Sequence, residues 1–305
     1  MEYVLETEGL TKIYNHKAAA DSVNLHIREG QIYGLIGRNG AGKTTIMRMI
    51  GGLIIPTRGT YRLFGKSGIE MRKMLRHVGT LIESPGIYPQ LSARENLKIR
   101  CIGMGIRPEG TVEELLTAVG LGDVDCKKAT GHFSLGMQQR LGIAMALIGD
   151  PRFLILDEPI NGLDPQGIAD VREILVKLRD EKGITIMISS HILDELGKMA
   201  DAYGIINEGV LLDEFTAEDL RKRSGRYVTI RTNDGAAALQ TLKGIGIRDA
   251  ALDGEGCVRV NEQPENSDVM AKAIVEAGLS LRELIVTNVS LEDYFLGVTG
   301  GKHDA

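Results

Sequence analysis

Short apolar runs, set apart by Gly-rich turns and charged stretches, give this chain its pattern. Gln31-Ile32-Tyr33-Gly34-Leu35-Ile36 is apolar at nearly every position and predicts a short buried strand. Gly37-Arg38-Asn39-Gly40-Ala41-Gly42 follows, and then Lys43 to Ile50, whose spacing suits a helix. Phe153 to Leu156 and Ile184 to Ile188 are two more apolar strand runs, separated by the charged helical pattern Ile168 to Asp180. Strands without polar alternation are covered on both faces, so their alternation with helices predicts an α/β core with a mainly parallel sheet. From about Ser92 to Ile148 the pattern is helical, which predicts an inserted helical lobe over about residues 90–150. Ser92-Ala93-Arg94-Glu95 has the form of a capping box at the start of one of its helices.

The composition shifts after Val210-Leu211-Leu212, where Thr216-Ala217-Glu218-Asp219-Leu220 starts a charged helix ending in Arg221-Lys222-Arg223-Ser224-Gly225. This divides the chain into a large domain, 1–215, and a small one, 216–305. In the second, Tyr227 to Arg231, Cys257 to Val260 and Leu281 to Thr287 read as strands, and Ala236 to Leu242 and Val269 to Ala277 as helices. The expectation is a small α+β domain, with Thr299 to Ala305 as a frayed tail.

Composition narrows the function classes. With 43% apolar and 25% charged residues over 305 positions, the chain is globular, neither disordered nor fibrous. No run reaches the length of a membrane span, and the acidic start Met1-Glu2-Tyr3-Val4-Leu5-Glu6 is unlike a signal peptide. A formal charge of -5 disfavours a nucleic-acid partner. The absence of Trp and 4% aromatics weaken any base-stacking platform. Cys101, Cys126 and Cys257 are far apart and form no C-x-x-C, so neither a disulfide frame nor a zinc site is supported, and a reducing cytoplasm fits best.

Gly37-Arg38-Asn39-Gly40-Ala41-Gly42-Lys43-Thr44 fits G-x-x-x-x-G-K-[ST] and lies between a strand and a helix start, continuing into Thr45. Glycines let successive N–H groups turn inward on phosphate oxygens, and the helix N-terminus adds positive charge. Lys43 would bridge the β and γ phosphates of a nucleoside triphosphate, and the Thr44 hydroxyl would ligate Mg²⁺. The competing reading is a Gly-rich turn with no ligand. Asp157 and Glu158 end the Phe153 strand, as metal-assisted hydrolysis requires: Asp157 to hold Mg²⁺ and Glu158 to polarise the attacking water. Taken alone, such a pair also suits a helix cap or a solvated turn.

Phe133-Ser134-Leu135-Gly136-Met137-Gln138-Gln139-Arg140-Leu141 stands upstream of that acidic strand end. With it, the stretch from about Tyr3 to Leu212 resembles the ATP-binding cassette family of ATPases, marked by a Leu-Ser-Gly-Gly-Gln type segment at this place. The resemblance implies a P-loop ATPase cassette, α/β with a mainly parallel core sheet and inserted helical lobe, followed here by the small α+β domain. It further implies that Tyr14 stacks on adenine, where the alternative is an ordinary core or surface tyrosine. Ser134 and Gly136 would meet the γ phosphate of ATP held by the opposite subunit, although Leu135 and Met137 depart from the common Gly and Gln. Asn161-Gly162-Leu163-Asp164 matches a dimer-interface loop and equally an ordinary turn. His191, after Ser189-Ser190, matches a switch histidine that contacts the γ phosphate and the catalytic glutamate. Glu83 takes a position usually given to a glutamine that senses Mg²⁺ and water; a carboxylate still accepts there but does not donate. Glu83 and the Ser-Leu-Gly-Met segment look like the subgroup that exports bacitracin and lantibiotic peptides. The resemblance therefore implies an ATPase using ATP and Mg²⁺, paired as a homodimer or cassette heterodimer. It would be peripheral on the inner face of the cell membrane through a separate transmembrane permease. Two other classes stay open: a non-transport cassette acting on a ribosome or DNA repair complex, and a small-molecule kinase using the same phosphate loop.

Overall fold

The computed structural model describes residues 2–223, 226–288 and 290–300. They fall into two units, Met1–Ala217 and Glu218–Ala305. The first opens with β1 (Tyr3–Tyr14), β2 (Lys17–Val23) and β3 (His26–Arg28), then β4 (Ile32–Ile36), α1 (Lys43–Ile50) and β5 (Arg58–Leu63). β1 pairs antiparallel with β2, β3 and β5. Asn15 and His16, at φ 46° and 66°, make the tight turn from β1 to β2, since two left-handed residues match the twist of a hairpin.

Next come α2 (Gly68–Met74), β6 (Val78–Leu81), α3 (Ala93–Gly103), α4 (Thr111–Ala118) and α5 (Leu135–Ala146). After them are β7 (Phe153–Leu156), α6 (Pro165–Lys182), β8 (Thr185–Ser190), α7 (Leu193–Gly197), β9 (Ala202–Asn207) and β10 (Val210–Thr216). A six-stranded sheet runs β10-β9-β4-β8-β7-β6. It is parallel from β9 to β6, with β10 antiparallel at its edge. Every residue of β4, β7 and β8 is buried, which is why these strands read as unbroken apolar runs. The Ser92 capping box forms at α3: Ser92 Oγ accepts from the Glu95 N–H, and Glu95 Oε2 accepts from the Ser92 N–H at 2.8 Å. Buried Tyr33 donates to Glu214 Oε1 at 2.8 Å, and His26 Nδ1 lies 2.8 Å from Glu214 Oε2, tying the two sheets together. Burial, then the Glu214 charge, push the Tyr33 hydroxyl well above its ordinary pKa.

α8 (Ala217–Arg223) leads to the second unit, and the expected helix end at Ser224-Gly225 lies outside the described residues. That unit runs β11 (Arg226–Thr232), α9 (Gly235–Gly244), β12 (Ala250–Leu252), β13 (Val258–Val260), α10 (Ser267–Glu276), β14 (Leu281–Asn288) and α11 (Leu291–Thr299). Its antiparallel sheet has the order β12-β13-β11-β14, the split βαβ arrangement of ferredoxin-like domains. Val228, Ile230, Val258 and Val260 pack with Ala238 and Leu242 of α9 and with Met270 and Ile274 of α10. The sequence pattern does not predict β12 or α11. The expected frayed tail begins inside α11 at Thr299, and beyond Gly300 it lies outside the described residues.

Candidate functional site

The site gathers at the carboxyl ends of β4, β7 and β8, where open parallel sheets leave a crevice for ligands. After β4 the chain turns through Gly37 to Gly42 into α1. A Cβ on Gly37 would stand 2.5 Å from the Ile206 carbonyl oxygen. Gly42, at φ 104°, would place one 2.3 Å from the Ala19 carbonyl oxygen. Only glycine fits at these two points. Arg38, Asn39 and Gly40 are exposed, while Ala41 is buried and donates its N–H to the Arg38 carbonyl at 3.0 Å. Thr45 is half-buried in the first turn of α1.

Lys43 is 6% exposed. Its ammonium donates to the Gly37 and Arg38 carbonyls at 2.7 and 3.3 Å and lies 3.3 Å from Glu158 Oε1. Thr44 Oγ1 donates to Asp157 Oδ2 at 2.7 Å. Ser189 Oγ, at the end of β8, donates to Asp157 Oδ1 at 2.6 Å and accepts from the Glu158 N–H at 2.8 Å. Glu158 is held at φ 49°, a strained value for a residue other than glycine. His191 Nδ1 lies 2.9 Å from Glu158 Oε2. Glu158 Oε1 is buried and makes no hydrogen bond among the described residues, so its contact with Lys43 is an ion pair only and an acceptor site stays unused. That oxygen is suited to accept from a water molecule.

Ser189 does not stand out in the sequence as a site residue. Its signal is a hydroxyl pair at the end of an otherwise apolar, buried strand. Tyr14 sits at the β1–β2 turn, 46% exposed, with Lys12 Nζ 5.2 Å from its ring centroid; it is a surface side chain, not a core one. Ser134 caps α5, its Oγ accepting from the Met137 N–H at 3.2 Å. Gly136 faces the start of α6, where an added Cβ would lie 3.7 Å from Gly167. Among the described residues no hydrogen bond joins Ser134 to the phosphate loop. Asp164 caps α6 by accepting from the Gly167 N–H at 3.0 Å, and Gly162 at φ 73° makes the turn before it.

Glu83 departs from the simple expectation of a metal or water contact. It follows β6 at φ 68°, and its carboxylate is ion-paired with Arg48 in the last turn of α1. With a carboxylate the guanidinium forms an ion pair, where a glutamine would offer only a neutral carbonyl oxygen. Glu83 nonetheless lines a cavity of about 500 Å³ together with Asp157 and Glu158.

The donor set fits Mg²⁺. Thr44 and Asp157 present adjacent hard oxygens, while no group of three or more His, Cys, Asp or Glu among the described residues could cage a metal ion. Such a site draws its other ligands from phosphate and water, as Mg²⁺ does.

The ABC transporter family model matches residues 20–161. A second, described as "AAA domain, putative AbiEii toxin, Type IV TA system", matches residues 130–196. The bacitracin transport ATP-binding protein BcrA of Bacillus licheniformis is 42% identical over 303 residues, 99% of each chain. This chain belongs to the ABC transporter ATP-binding family. The lantibiotic transport ATP-binding protein SrtF of Streptococcus pyogenes is 46% identical over 211 residues, 69% of this chain and 90% of that one. Among solved structures, cbiO1 of Clostridium perfringens, part of the ABC transporter complex cbiONQ, matches with a TM-score of 0.65 at 26% identity, over 72% of this chain and 91% of that one. The cassette MJ0796, solved as a dimer in a post-hydrolysis state with ADP and Pi, matches with a TM-score of 0.63 at 25% identity, over 70% and 98%. As a member of the ABC family, the chain binds ATP and is an ATPase. The match to BcrA runs through both units, so the C-terminal unit is part of the likeness as well.

Proposed function

We propose that this chain is the ATP-hydrolysing subunit of an exporter for a peptide antibiotic or related amphiphile, working as a dimer on a separate transmembrane permease. The observation that carries the reading is the convergence of Lys43, the Thr44–Asp157 pair and the Glu158–His191 pair at one crevice. The names of BcrA and SrtF support the peptide class, and they weigh against a ribosome or DNA repair role. No helix among the described residues is long and apolar enough to cross a membrane, so the path for the cargo would belong to the permease. That partner would hold the chain on the inner face of the membrane.

In this reading the backbone of Gly37 to Thr45 cradles the triphosphate, Lys43 bridges its β and γ groups, and Tyr14 stacks on adenine. Thr44 and Asp157 would hold Mg²⁺, which when bound offsets charge on the phosphate oxygens. Glu158 takes the proton of a water that attacks the γ phosphorus, and ADP leaves with the bridging oxygen. His191 holds the other oxygen of Glu158, and Ser189 fixes both acidic residues at their strand end. Ser134 and Gly136 close the γ phosphate of a second copy, with the N-terminus of α5 favouring the anion. Glu83 stays at the rim, where it accepts from water.

Disruption of the gene in its host provides the test. Loss of the chain should raise sensitivity to bacitracin-type or lantibiotic peptides, with wild type but not Lys43→Ala restoring resistance. Unchanged sensitivity across both peptide classes would contradict the proposed cargo.

A further inference from the structure

Arg48 and Glu83 lie near the ends of two neighbouring elements, one of which starts at the phosphate loop. α1 starts at Lys43 and Thr44 and carries Arg48 in its last turn, while β6 ends at Leu81, just before Glu83. The cavity next to this pair is lined by three carboxylates, those of Asp157, Glu158 and Glu83. Lys43 lies against Glu158, and Thr44 and Ser189 donate to Asp157. Glu83 alone among the three is balanced from outside the phosphate loop and its strand ends, by Arg48.

Asp157 and Glu158 line that cavity and also contact Thr44 and Lys43 of the phosphate loop, so the charge at Glu83 bears on a polyanion held by the loop. An unpaired carboxylate at the rim would oppose ATP, whereas one neutralised by Arg48 would not. Arg48 is 35% exposed and Glu83 64% exposed in their side chains, so the pair adds little to the stability of the fold. Its consequence is for the electrostatics of nucleotide entry more than for the stability of the fold.

We propose that Arg48 is a positioning residue that holds the Glu83 carboxylate at the cavity rim and cancels its charge while ATP binds. Glu83 sits at a left-handed φ of 68°, and its side chain meets Arg48 on α1. The pair explains how a carboxylate is tolerated where the family pattern carries an amide: the compensating cation comes from the helix that also binds the phosphates. The proposal rests on the ATP-site reading above.

The test is a titration of the full chain with fluorescent N-methylanthraniloyl-ATP in the absence of divalent cation, which reads binding without turnover. Arg48→Met should weaken binding by about 5-fold, because it leaves the Glu83 charge uncompensated. In a Glu83→Gln background the same replacement should change binding by less than about twofold, the mark of two residues acting as one unit. Arg48→Lys should recover most of the affinity. Equal weakening in both backgrounds would overturn the proposal. Glu83→Gln alone gives a second measure: it should bind within about twofold of wild type, since Arg48 without its partner is screened in solvent, and a loss as large as that of Arg48→Met would overturn the proposal too. Lys43→Ala in the same titration separates the two claims. If it binds as tightly as wild type, the ATP site itself is misplaced; if it loses binding while the Arg48–Glu83 effects are additive, only the pairing fails.

Discussion

At the ends of β4, β7 and β8, buried Lys43 and Asp157 are held by backbone carbonyls and polar side chains, whereas the four-stranded sheet of the C-terminal unit buries Val228, Ile230, Val258 and Val260 against two helices. In that second sheet the buried polar side chain among the described residues is Thr232. Charges taken out of water cost more than their pairing returns unless the geometry is good, so a cluster of them is poor evidence of stability and good evidence of chemistry. The two regions thus separate what holds the chain together from what it does. Substitution in the first should stop turnover and spare the fold; in the second it should soften the fold and spare turnover.

Lys43→Ala offers the largest effect. The fold should persist by circular dichroism while ATP hydrolysis falls at least about 100-fold, the scale of losing one preorganised cation at a transition state. A folded Lys43→Ala chain with wild-type turnover would break the contrast. Ser189→Ala removes the hydroxyl that joins Asp157 to the Glu158 backbone. A hydrogen bond to a charged group is worth roughly 1.5–3 kcal/mol, which as a barrier corresponds to about 10- to 100-fold in kcat. Steady-state kinetics should show that fall while the chain stays folded by circular dichroism. Ile230→Ala should do the opposite, costing about 2–5 kcal/mol in a denaturant titration of the C-terminal unit while kcat stays close to wild type. A matching loss of kcat would show that the C-terminal sheet controls the phosphate site.

The same division decides what is legible in the sequence. The phosphate loop is readable because its contacts demand particular residues: a side chain at Gly37 or Gly42 would strike a neighbouring carbonyl oxygen. The acidic strand end at Asp157-Glu158 and the helix cap at Ser92 are readable for a similar reason, since local geometry selects residue type. The sheet of β1, β2, β3 and β5 is not, because β1 places neighbouring residues on the buried side and shifts register, hiding the period of two. The order β12-β13-β11-β14 is set by pairing between distant segments, which no local pattern carries. Ser189 and Arg48 escape notice for that reason also. Their partners are 32 and 35 positions away, and each gains its meaning only when the strand ends meet.

Gel filtration of Glu158→Gln with ATP tests the central claim most directly, that ATP on the Lys43 loop is cleaved with Glu158 as base while a second copy closes over it. The amide keeps the size of the side chain and an acceptor oxygen but gives up the base, so ATP should bind and persist. The predicted result is a nucleotide-loaded dimer that wild type does not accumulate, returned to monomers by adding Ser134→Arg. A Glu158→Gln chain that binds ATP yet hydrolyses it at the wild-type rate, or stays monomeric at saturating ATP, would contradict the account.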